Sequence, residues 1–262
     1  MVTTFNTIEY KQEDGVAIAT LNAPDKLNAL TDEMKEELLQ IICKVRDDEQ
    51  IKVLVLTGNG RAFCAGGDIN SQAKVKNIVG ARNRIKQLHR WVLELVNIEK
   101  PVIAAVNGLA VGAGCNLALA CDLIYASEEA RFSEIFSKMG LIPDAGGLYF
   151  LPWAVGPARA KEIVFTGRMV DAAEACQIGL INKVLPKEKL MEEVLVMAHQ
   201  LAKGPSVAYG LAKTLINKSY SWDLATLLEA EADAQSICTQ TEDCSEGRKA
   251  FFEKRKPVFK GR

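Results

Sequence analysis

Short runs of β-branched and aliphatic residues, each bounded by turn residues, are the feature that most constrains the fold of this chain. Four such runs lie at 16–21, 53–57, 102–107 and 123–126, and their composition is typical of buried β-strands. Between the first two runs, Thr31 precedes apolar residues at helical spacing, which predicts an amphipathic helix capped by the threonine. Strands that alternate with helices predict an α/β domain with mostly parallel pairing.

The second half of the chain changes from strand patterns to helical periodicity. Helical spacing occurs at 172–178, 187–202, 206–216 and 223–237, and the expected helix stops are Gly167, Gly179 and Gly204. We therefore expect residues 1–200 to form an α/β core. Residues 201–262 are expected to form a C-terminal helical region that covers the core or bridges to another subunit.

Charge and composition exclude several classes of function. The 262 residues include 32 Lys and Arg against 33 Asp and Glu, so no overall positive field attracts nucleic acid or anionic lipid. The first residues lack the apolar or Arg-rich pattern of a targeting peptide, and no apolar run has the length of a membrane span, which predicts a cytoplasmic location. The seven cysteines form no CxxC pair and there are only two histidines, so we expect reduced thiols and no metal site.

Three glycine-rich segments are the candidates for chemistry, at 61–69, 107–122 and 140–147. Glycine and alanine let a ligand approach main-chain N–H groups closely, and such donors suit a developing oxyanion. Any one of these segments alone is better explained by a tight turn or by close helix–strand packing. The glycines at 112 and 114 also lack the spacing of a dinucleotide-binding fingerprint.

Taken in order, these segments resemble the crotonase superfamily, also called the enoyl-CoA hydratase/isomerase family. The likeness begins at NAPDKLNAL (22–30), passes through the three glycine segments, continues at 166–186 and ends at 250–259. It implies a spiral of β-β-α units with a C-terminal helical region used for trimerisation, and trimers that pair into hexamers. It also implies an acyl-CoA substrate and no separate cofactor, because coenzyme A is part of that substrate.

The resemblance assigns roles to particular residues. The backbone N–H groups of Gly67 and Ala113 would form an oxyanion hole. The implied coenzyme A contacts are Lys26, Leu27, Ala29, Ala65, Gly66, Asp68, Ile69, Phe251 and Lys254. The last two would close over the adenine from a neighbouring subunit, and a solvated charge run at 253–256 is the alternative explanation. The basic stretch at 73–90 is expected to form a lid or to contact a coenzyme A phosphate.

The expected reaction follows from three positions. Hydratases of the family use two glutamates where this chain has Asn116 and Phe136, and neither residue exchanges protons near neutral pH. Asp144 stands where hydratases generally have glycine. Ring-1,2-epoxyphenylacetyl-CoA isomerase and some enoyl-CoA isomerases resemble this chain, because they carry aspartate at that position. We expect Asp144 to be the base of an isomerase, with its pKa raised by apolar neighbours such as Leu141, Ile142 and Phe136.

Alternatives remain for these residues. Asp144 would otherwise cap the helix that follows it, and hydration despite the loss of both glutamates stays open. The placement of His89 resembles 4-chlorobenzoyl-CoA dehalogenase, in which the aspartate attacks the ring, but a lone histidine is more often a packing or surface residue. Cys64 and Cys115 flank the oxyanion donors, and we expect inert thiols there. A non-enzymatic RNA-binding or scaffold relative is a further alternative from another class.

Overall fold

Two β-sheets organise the computed structural model, which describes residues 5–68 and 77–262. In chain order the strands are β1 (Ile8–Glu13), β2 (Val16–Leu21), β3 (Val53–Gly58), β4 (Ala62–Cys64), β5 (Val102–Val106), β6 (Leu109–Val111), β7 (Leu123–Ser127), β8 (Arg131–Ser133), β9 (Val170–Asp171) and β10 (Lys183–Leu185). The α-helices are α1 (Asp32–Asp47), α2 (Ile78–Asn97), α3 (Ala113–Leu119), α4 (Gly147–Val155), α5 (Pro157–Thr166), α6 (Ala172–Gln177), α7 (Leu190–Ala202), α8 (Ser206–Lys218), α9 (Leu224–Thr239) and α10 (Glu242–Phe252). Three short 3-10 helices lie at Pro24–Lys26, Ile135–Met139 and Lys187–Lys189.

The chain alternates between the two sheets. The six-stranded sheet has the order β1-β2-β3-β5-β7-β10 and the four-stranded sheet has the order β4-β6-β8-β9. Strands β1 and β9 pair antiparallel with their neighbours, whereas the other described pairs are parallel. The successive pairs β3–β4, β5–β6 and β7–β8 each place one strand in each sheet. This winding confirms the expected spiral of β-β-α units.

Both faces of the six-stranded sheet are covered, which explains why its central strands are uninterrupted apolar runs. In β3, Val53 and Val55 pack in the cluster that includes helix α7. The alternate residues Leu54 and Leu56 pack in the larger cluster that includes α1 and α2. Residues from both sides of the strand are therefore removed from water, and the sheet forms a rigid base for the loops at its edge.

The predicted helices and strands are largely confirmed. Thr31 Oγ1 accepts a hydrogen bond from Met34 N–H (3.2 Å) at the start of α1, and Gly167 ends α5 in the left-handed conformation (φ +54°). Edge strand β1 and the short strands of the four-stranded sheet were not predicted from the sequence. The division at 200/201 stays a prediction and falls inside α7, which ends at Ala202. No helix within the described ranges is long and apolar enough to cross a membrane.

Part of the predicted lid is helical. From Asn77 onward the stretch forms the beginning of α2, and Asn77 Oδ1 accepts a hydrogen bond from Gly80 N–H (2.8 Å). Residues 73–76 lie outside the described residues, as does Ile69. The lid function and the coenzyme A contact of Ile69 therefore stay predictions.

Candidate active site

The first two glycine-rich segments pack directly against each other. A Cβ at Gly66 would lie 2.7 Å from Val111 O and 3.6 Å from Ala113 N, and a Cβ at Gly114 would overlap the Cys64 carbonyl. Gly66 also has φ +98°, which side chains rarely adopt. Glycine at 66 and 114 is thus what allows the end of β4 to touch the first turn of α3.

The Gly67 amide is not used by the main-chain ladder beside it. Gly67 opposes Leu30 in a single parallel bridge. The two bonds of this bridge run from Leu30 N–H to Gly66 O (2.8 Å) and from Asp68 N–H to Leu30 O (3.4 Å). Among the residues that the structure describes, the Gly67 N–H has no hydrogen-bond acceptor, so it is available to a ligand.

The Ala113 amide is the first N–H of helix α3. Residues at a helix start have no intrahelical acceptor for their N–H groups. The preceding Gly112 has φ +55° and donates its own N–H to Ser133 O (2.8 Å), which fixes the helix start against β8. The two predicted oxyanion donors therefore sit on adjoining segments, each with an N–H that the local structure leaves unused.

Asp144 lies in a tight turn before α4. Its carbonyl oxygen accepts hydrogen bonds from Gly147 N–H and from Asn116 Nδ2, both at 2.9 Å. The next residues, Ala145 and Gly146, have φ +48° and +86°. The Asp144 Oδ1 atom is buried without a hydrogen-bond partner among the described residues. Helix α4 begins at Gly147 after Gly146 without a side-chain cap, so the alternative that Asp144 caps this helix is wrong.

The electrostatic environment favours a basic Asp144. Burial raises the pKa of its carboxyl above the ordinary value, while the positive charges of Arg84, His89 and Lys35 act in the opposite direction. A raised pKa strengthens a carboxylate as a proton acceptor, and the three positive charges oppose that rise. This combination suits a general base better than a buried acid alone.

The residues expected to surround that carboxyl are only partly where we predicted them. Leu141 and Ile142 are 47% and 74% exposed, so the expectation that they shield Asp144 is wrong. Phe136 is buried at 8% exposure, and its ring lies beside Gly112. Phe136 therefore supplies an apolar wall beside the Ala113 amide, where a hydratase would need a carboxylate.

His89 is exposed on α2 and lines a cavity of about 380 Å³. The same cavity is lined by Gly146 and Phe150 from the Asp144 side and by Val92 and Leu93 from α2. Because the charge of His89 reaches Asp144, the two residues of the dehalogenase alternative share one region. The largely apolar lining suits the hydrocarbon part of a ligand.

The proposed coenzyme A loop is fixed beside the Gly67 segment. Ala65 N–H donates to Leu27 O at 2.9 Å. Leu27 and Asn28 both have positive φ, at +51° and +55°. The buried Asn28 side chain holds this conformation, since its Nδ2 donates to Ala62 O at 2.8 Å. Lys26 is exposed, whereas Ala29 is half-buried.

Phe251 and Lys254 lie at the end of α10, far along the chain from the other site residues. Phe251 is 80% exposed and Lys254 has φ +53°. Arg255 in the neighbouring charge run pairs with Glu246 (2.6 Å) and Glu253 (2.7 Å), so part of that run is held by ion pairs on its own helix. Contact with adenine across a subunit boundary stays a prediction.

The two cysteines beside the oxyanion donors have the environment of inert thiols. Cys64 is fully buried, and burial raises the pKa of its thiol to about 12. Burial also raises the pKa of Cys115 well above the ordinary value, assisted by the nearby Glu134. Neither thiol forms a thiolate near neutral pH, which agrees with the expectation from sequence.

Glu134 is a residue of this site that the sequence analysis missed. It directly follows β8, has no exposed surface, and its Oε2 accepts a hydrogen bond from Asn116 Nδ2 at 3.4 Å. Its neighbours in RFSEIF give no periodicity that predicts burial. Its position two residues before Phe136 was the one signal available.

Comparison with known proteins gives consistent matches over nearly the whole chain. Residues 11–262 match the family model described as enoyl-CoA hydratase/isomerase. The chain is 40% identical to a 1,2-epoxyphenylacetyl-CoA isomerase of Escherichia coli (strain K12), with 95% of this chain and 97% of that protein covered. It is 38% identical to a short-chain-enoyl-CoA hydratase of Clostridium acetobutylicum, with 96% of each covered.

Solved structures match equally well. An enoyl-CoA hydratase from Bacillus anthracis is 35% identical and superposes with a TM-score of 0.93, covering 98% of this chain and 100% of that one. An enoyl-CoA hydratase/isomerase from Cupriavidus metallidurans CH34 is 34% identical and superposes with a TM-score of 0.94, covering 99% of this chain and 98% of that one. The fold is therefore shared with these proteins.

Proposed function

The chain belongs to the enoyl-CoA hydratase/isomerase family, and we propose that within it the protein is an enoyl-CoA isomerase of the double-bond or ring-epoxide type, with Asp144 as base. The observation that carries this proposal is the buried Oδ1 of Asp144, which has no hydrogen-bond partner within residues 5–68 and 77–262. A buried acceptor without a partner is costly, and a substrate proton is the partner that the proposal supplies. The raised pKa of the same carboxyl supports the assignment.

The oxyanion hole is the second part of the proposal. The Gly67 and Ala113 N–H groups would donate to the thioester oxygen, where negative charge accumulates when a proton is removed from the acyl chain. Fixed donors stabilise that charge without reorganising, and loss of one donor typically costs about 3–4 kcal/mol of transition-state stabilisation. The contact of Gly66 with the first turn of α3 supports this pairing, because it holds the two segments together.

The proposed proton shift needs one acid–base group. Asp144 takes a proton from one carbon of the acyl chain, and the electron pair delocalises to the thioester oxygen as a dienolate. The dienolate then takes the same proton back two carbons away, the double bond moves, and Asp144 returns to its ionised form. Neither water nor a redox partner is consumed, and an apolar wall such as Phe136 favours this step by excluding water.

Hydration has less support from the residues at the site. Asn116 donates its amide to Asp144 O, and Phe136 has no titratable group, so the paired carboxylates of hydratases are absent from these positions. The names of the relatives include both an isomerase and a hydratase. The argument for isomerisation therefore depends on Asp144, Asn116 and Phe136.

Dehalogenation of an aryl-CoA is the second candidate. The charge of His89 acts on Asp144, and His89 lines a cavity that Gly146, two residues after Asp144, also lines. A nucleophilic carboxylate and a water-activating imidazole would have to lie near each other in this way. Against it, His89 is exposed in this chain. An exposed imidazole is poorly placed to activate a single ordered water.

A panel of three substrates separates these reactions. Purified protein is incubated with a 3-enoyl-CoA, with crotonyl-CoA and with 4-chlorobenzoyl-CoA, while absorbance and chloride are followed. We expect turnover of the 3-enoyl-CoA, little hydration of crotonyl-CoA and no chloride. Hydration of crotonyl-CoA as fast as isomerisation would contradict the assignments of Asn116 and Phe136, and chloride release would establish the second candidate.

Assembly as a homotrimer or a hexamer is part of the proposal. Helix α9 exposes Leu224, Leu228 and Ile237 (70%, 50% and 53%), and exposed apolar residues along one helix are typical of a subunit interface. Light scattering of the purified protein measures the mass. A strict monomer would contradict the assembly and also the adenine contact assigned to Phe251 and Lys254.

Three further elements of the proposal depend on composition. We propose a cytoplasmic location, no cofactor beyond the coenzyme A of the substrate, and no nucleic-acid partner. The formal charge of −1 supports the last point, because RNA binding requires a basic surface. RNA retention by the purified protein at physiological salt would favour the RNA-binding alternative.

A further inference from the structure

Glu134 is a fully buried acid that the proposed reaction does not use. Its exposure is 0%, and a charged carboxylate at such a position costs several kcal/mol unless it is well paired. Its Oε2 accepts a long hydrogen bond from Asn116 Nδ2 (3.4 Å), and the Cys115 thiol also forms a hydrogen bond with the carboxyl. The Oε1 atom has no partner within the described part of the chain.

Asn116 connects this acid to the proposed base. Its Nδ2 donates both to Glu134 Oε2 (3.4 Å) and to Asp144 O (2.9 Å). The side chain is confined, since a Cβ at Gly147 would lie 2.5 Å from Asn116 Oδ1. The Asn116 amide is therefore clamped between Glu134 on one side and the turn that carries Asp144 on the other.

The turn that carries Asp144 keeps its conformation because hydrogen bonds hold it. Ala145 adopts φ +48°, a conformation that costs free energy for a residue with a Cβ and that persists only where surrounding contacts impose it. The Asp144 carbonyl is held by two donors, Gly147 N–H and Asn116 Nδ2. Loss of the Asn116 bond would let the turn relax and would move the Asp144 carboxylate.

We infer that Glu134 is a positioning residue which, through the Asn116 side chain, fixes the main chain that carries Asp144. Because Glu134 has no exposed surface, it does not touch a substrate, and its effect on the reaction is indirect. This inference rests on the proposed role of Asp144 as the base.

The proton on Glu134 decides whether it can act in this way. Burial raises the pKa of Glu134 to about 8, the charge of Asp144 raises it further, and hydrogen bonds with Cys115 and Asn116 oppose the rise. Near neutral pH the carboxyl is thus mainly protonated. A protonated carboxyl is a weaker acceptor than a carboxylate, so protonated Glu134 leaves Asn116 Nδ2 to its shorter bond with Asp144 O (2.9 Å).

Ionisation would reverse this arrangement. A carboxylate is a stronger acceptor than a carbonyl oxygen, so ionised Glu134 competes with Asp144 O for Asn116 Nδ2 and loosens the turn. The titratable groups that act on Glu134 are Cys115 from α3 and Asp144 from the turn. Lys35 and Arg84 with His89, from α1 and α2, act on Asp144. We therefore expect kcat to fall as pH rises through about 8.

The test compares pH profiles of kcat and KM for wild type, Glu134→Gln and Glu134→Ala, on the substrate that turns over best in the panel. Glutamine keeps a donor and an acceptor but cannot ionise. We expect Glu134→Gln to keep kcat within about threefold near neutral pH and to lose the alkaline fall. Glu134→Ala should lower kcat about tenfold or more with little change in KM, because the base is misplaced by a fraction of an ångström. Glu128→Gln, at an exposed position near β7, is the matched control and should follow the wild type.

Specific outcomes overturn the inference. If Glu134→Gln shows the same alkaline fall as wild type, or if folded Glu134→Ala keeps full kcat, Glu134 does not position the base. Thermal melts verify folding of each variant. The Asp144→Asn variant separates this failure from failure of the proposed function. Full activity in Asp144→Asn would contradict the assignment of Asp144 as the base. An inactive Asp144→Asn together with unaffected Glu134 variants would contradict only the positioning role of Glu134.

Discussion

Cys64 and Gly114 are in direct main-chain contact: a Cβ at position 114 would overlap the Cys64 carbonyl oxygen. This contact joins the end of β4 to the first turn of α3. Because the Gly67 and Ala113 amides lie within three residues of the two partners, the contact restrains where these two amides lie relative to each other. The geometry of the proposed oxyanion hole is therefore a consequence of packing between two glycine-rich segments.

Gly114→Ala tests this relationship. The added methyl must push the two segments apart, so we expect kcat to fall by up to about a hundredfold to a thousandfold, the range found when one oxyanion donor is lost. Gly247→Ala is the control, because a Cβ there meets only the Phe259 ring at 3.7 Å and lies within a helix. Thermal melts separate a local effect from unfolding. A folded Gly114→Ala variant with wild-type kcat would contradict the role of this contact.

Asp144→Asn tests the base. The amide cannot accept the substrate proton, so turnover should fall roughly a hundredfold or more. Affinity for coenzyme A, measured by calorimetry, should remain within about twofold, since Asp144 lies outside the proposed coenzyme A loop. Asp14→Asn is the matched control, because Asp14 is an exposed turn residue with φ +46° and asparagine tolerates that conformation. Turnover that survives Asp144→Asn would assign the proton transfer to another group.

Much of the framework was predictable from sequence because it depends on local patterns. The uninterrupted apolar run of β3 indicated a strand buried on both faces, and the Thr31 cap and Gly167 stop marked helix ends. These signals lie within a few residues of the features that they predict. Short strands such as β6, three residues long, depend on pairing with distant segments, so no local pattern reveals them.

The candidate site was predictable only in part for the same reason. Family resemblance pointed to Gly67, Ala113 and Asp144, and the structure brings the first two segments into contact. The family resemblance did not indicate Glu134, whose burial follows from the approach of α3 and the Asp144 turn to the end of β8. Leu141 and Ile142 show the opposite error, because apolar residues next to a buried carboxyl in sequence need not surround it in space.

The positive charge of Arg84 influences the pH below which the proposed base, Asp144, becomes protonated and activity falls. Its positive charge is the largest influence that opposes the burial-induced rise of the Asp144 pKa. A general base must be ionised, so activity is lost as pH falls through that pKa. Arg84→Gln removes the cation, the pKa of Asp144 rises further, and the acid limb of the kcat profile should move to higher pH. Arg82→Gln, exposed one half-turn earlier on α2, is the control, and an unmoved acid limb in Arg84→Gln would show that the two groups do not interact.

Glu134 also links stability to pH, independently of catalysis. Its pKa is raised from the usual 4.5 to about 8 in the folded chain, so between these values the folded state holds a proton that the unfolded state has released. The stabilisation from this proton is fully present below the unfolded pKa and is lost as pH rises through about 8. Glutamine does not titrate, so the melting temperature of Glu134→Gln minus that of wild type should become more positive by a few degrees between about pH 5 and about pH 9. Asp144 titrates in both proteins and largely cancels in the difference. Scanning calorimetry measures this difference in melting temperature. For the control Glu128→Gln the difference should not change with pH. A difference that does not change with pH for Glu134→Gln would show that the buried carboxyl has an ordinary pKa.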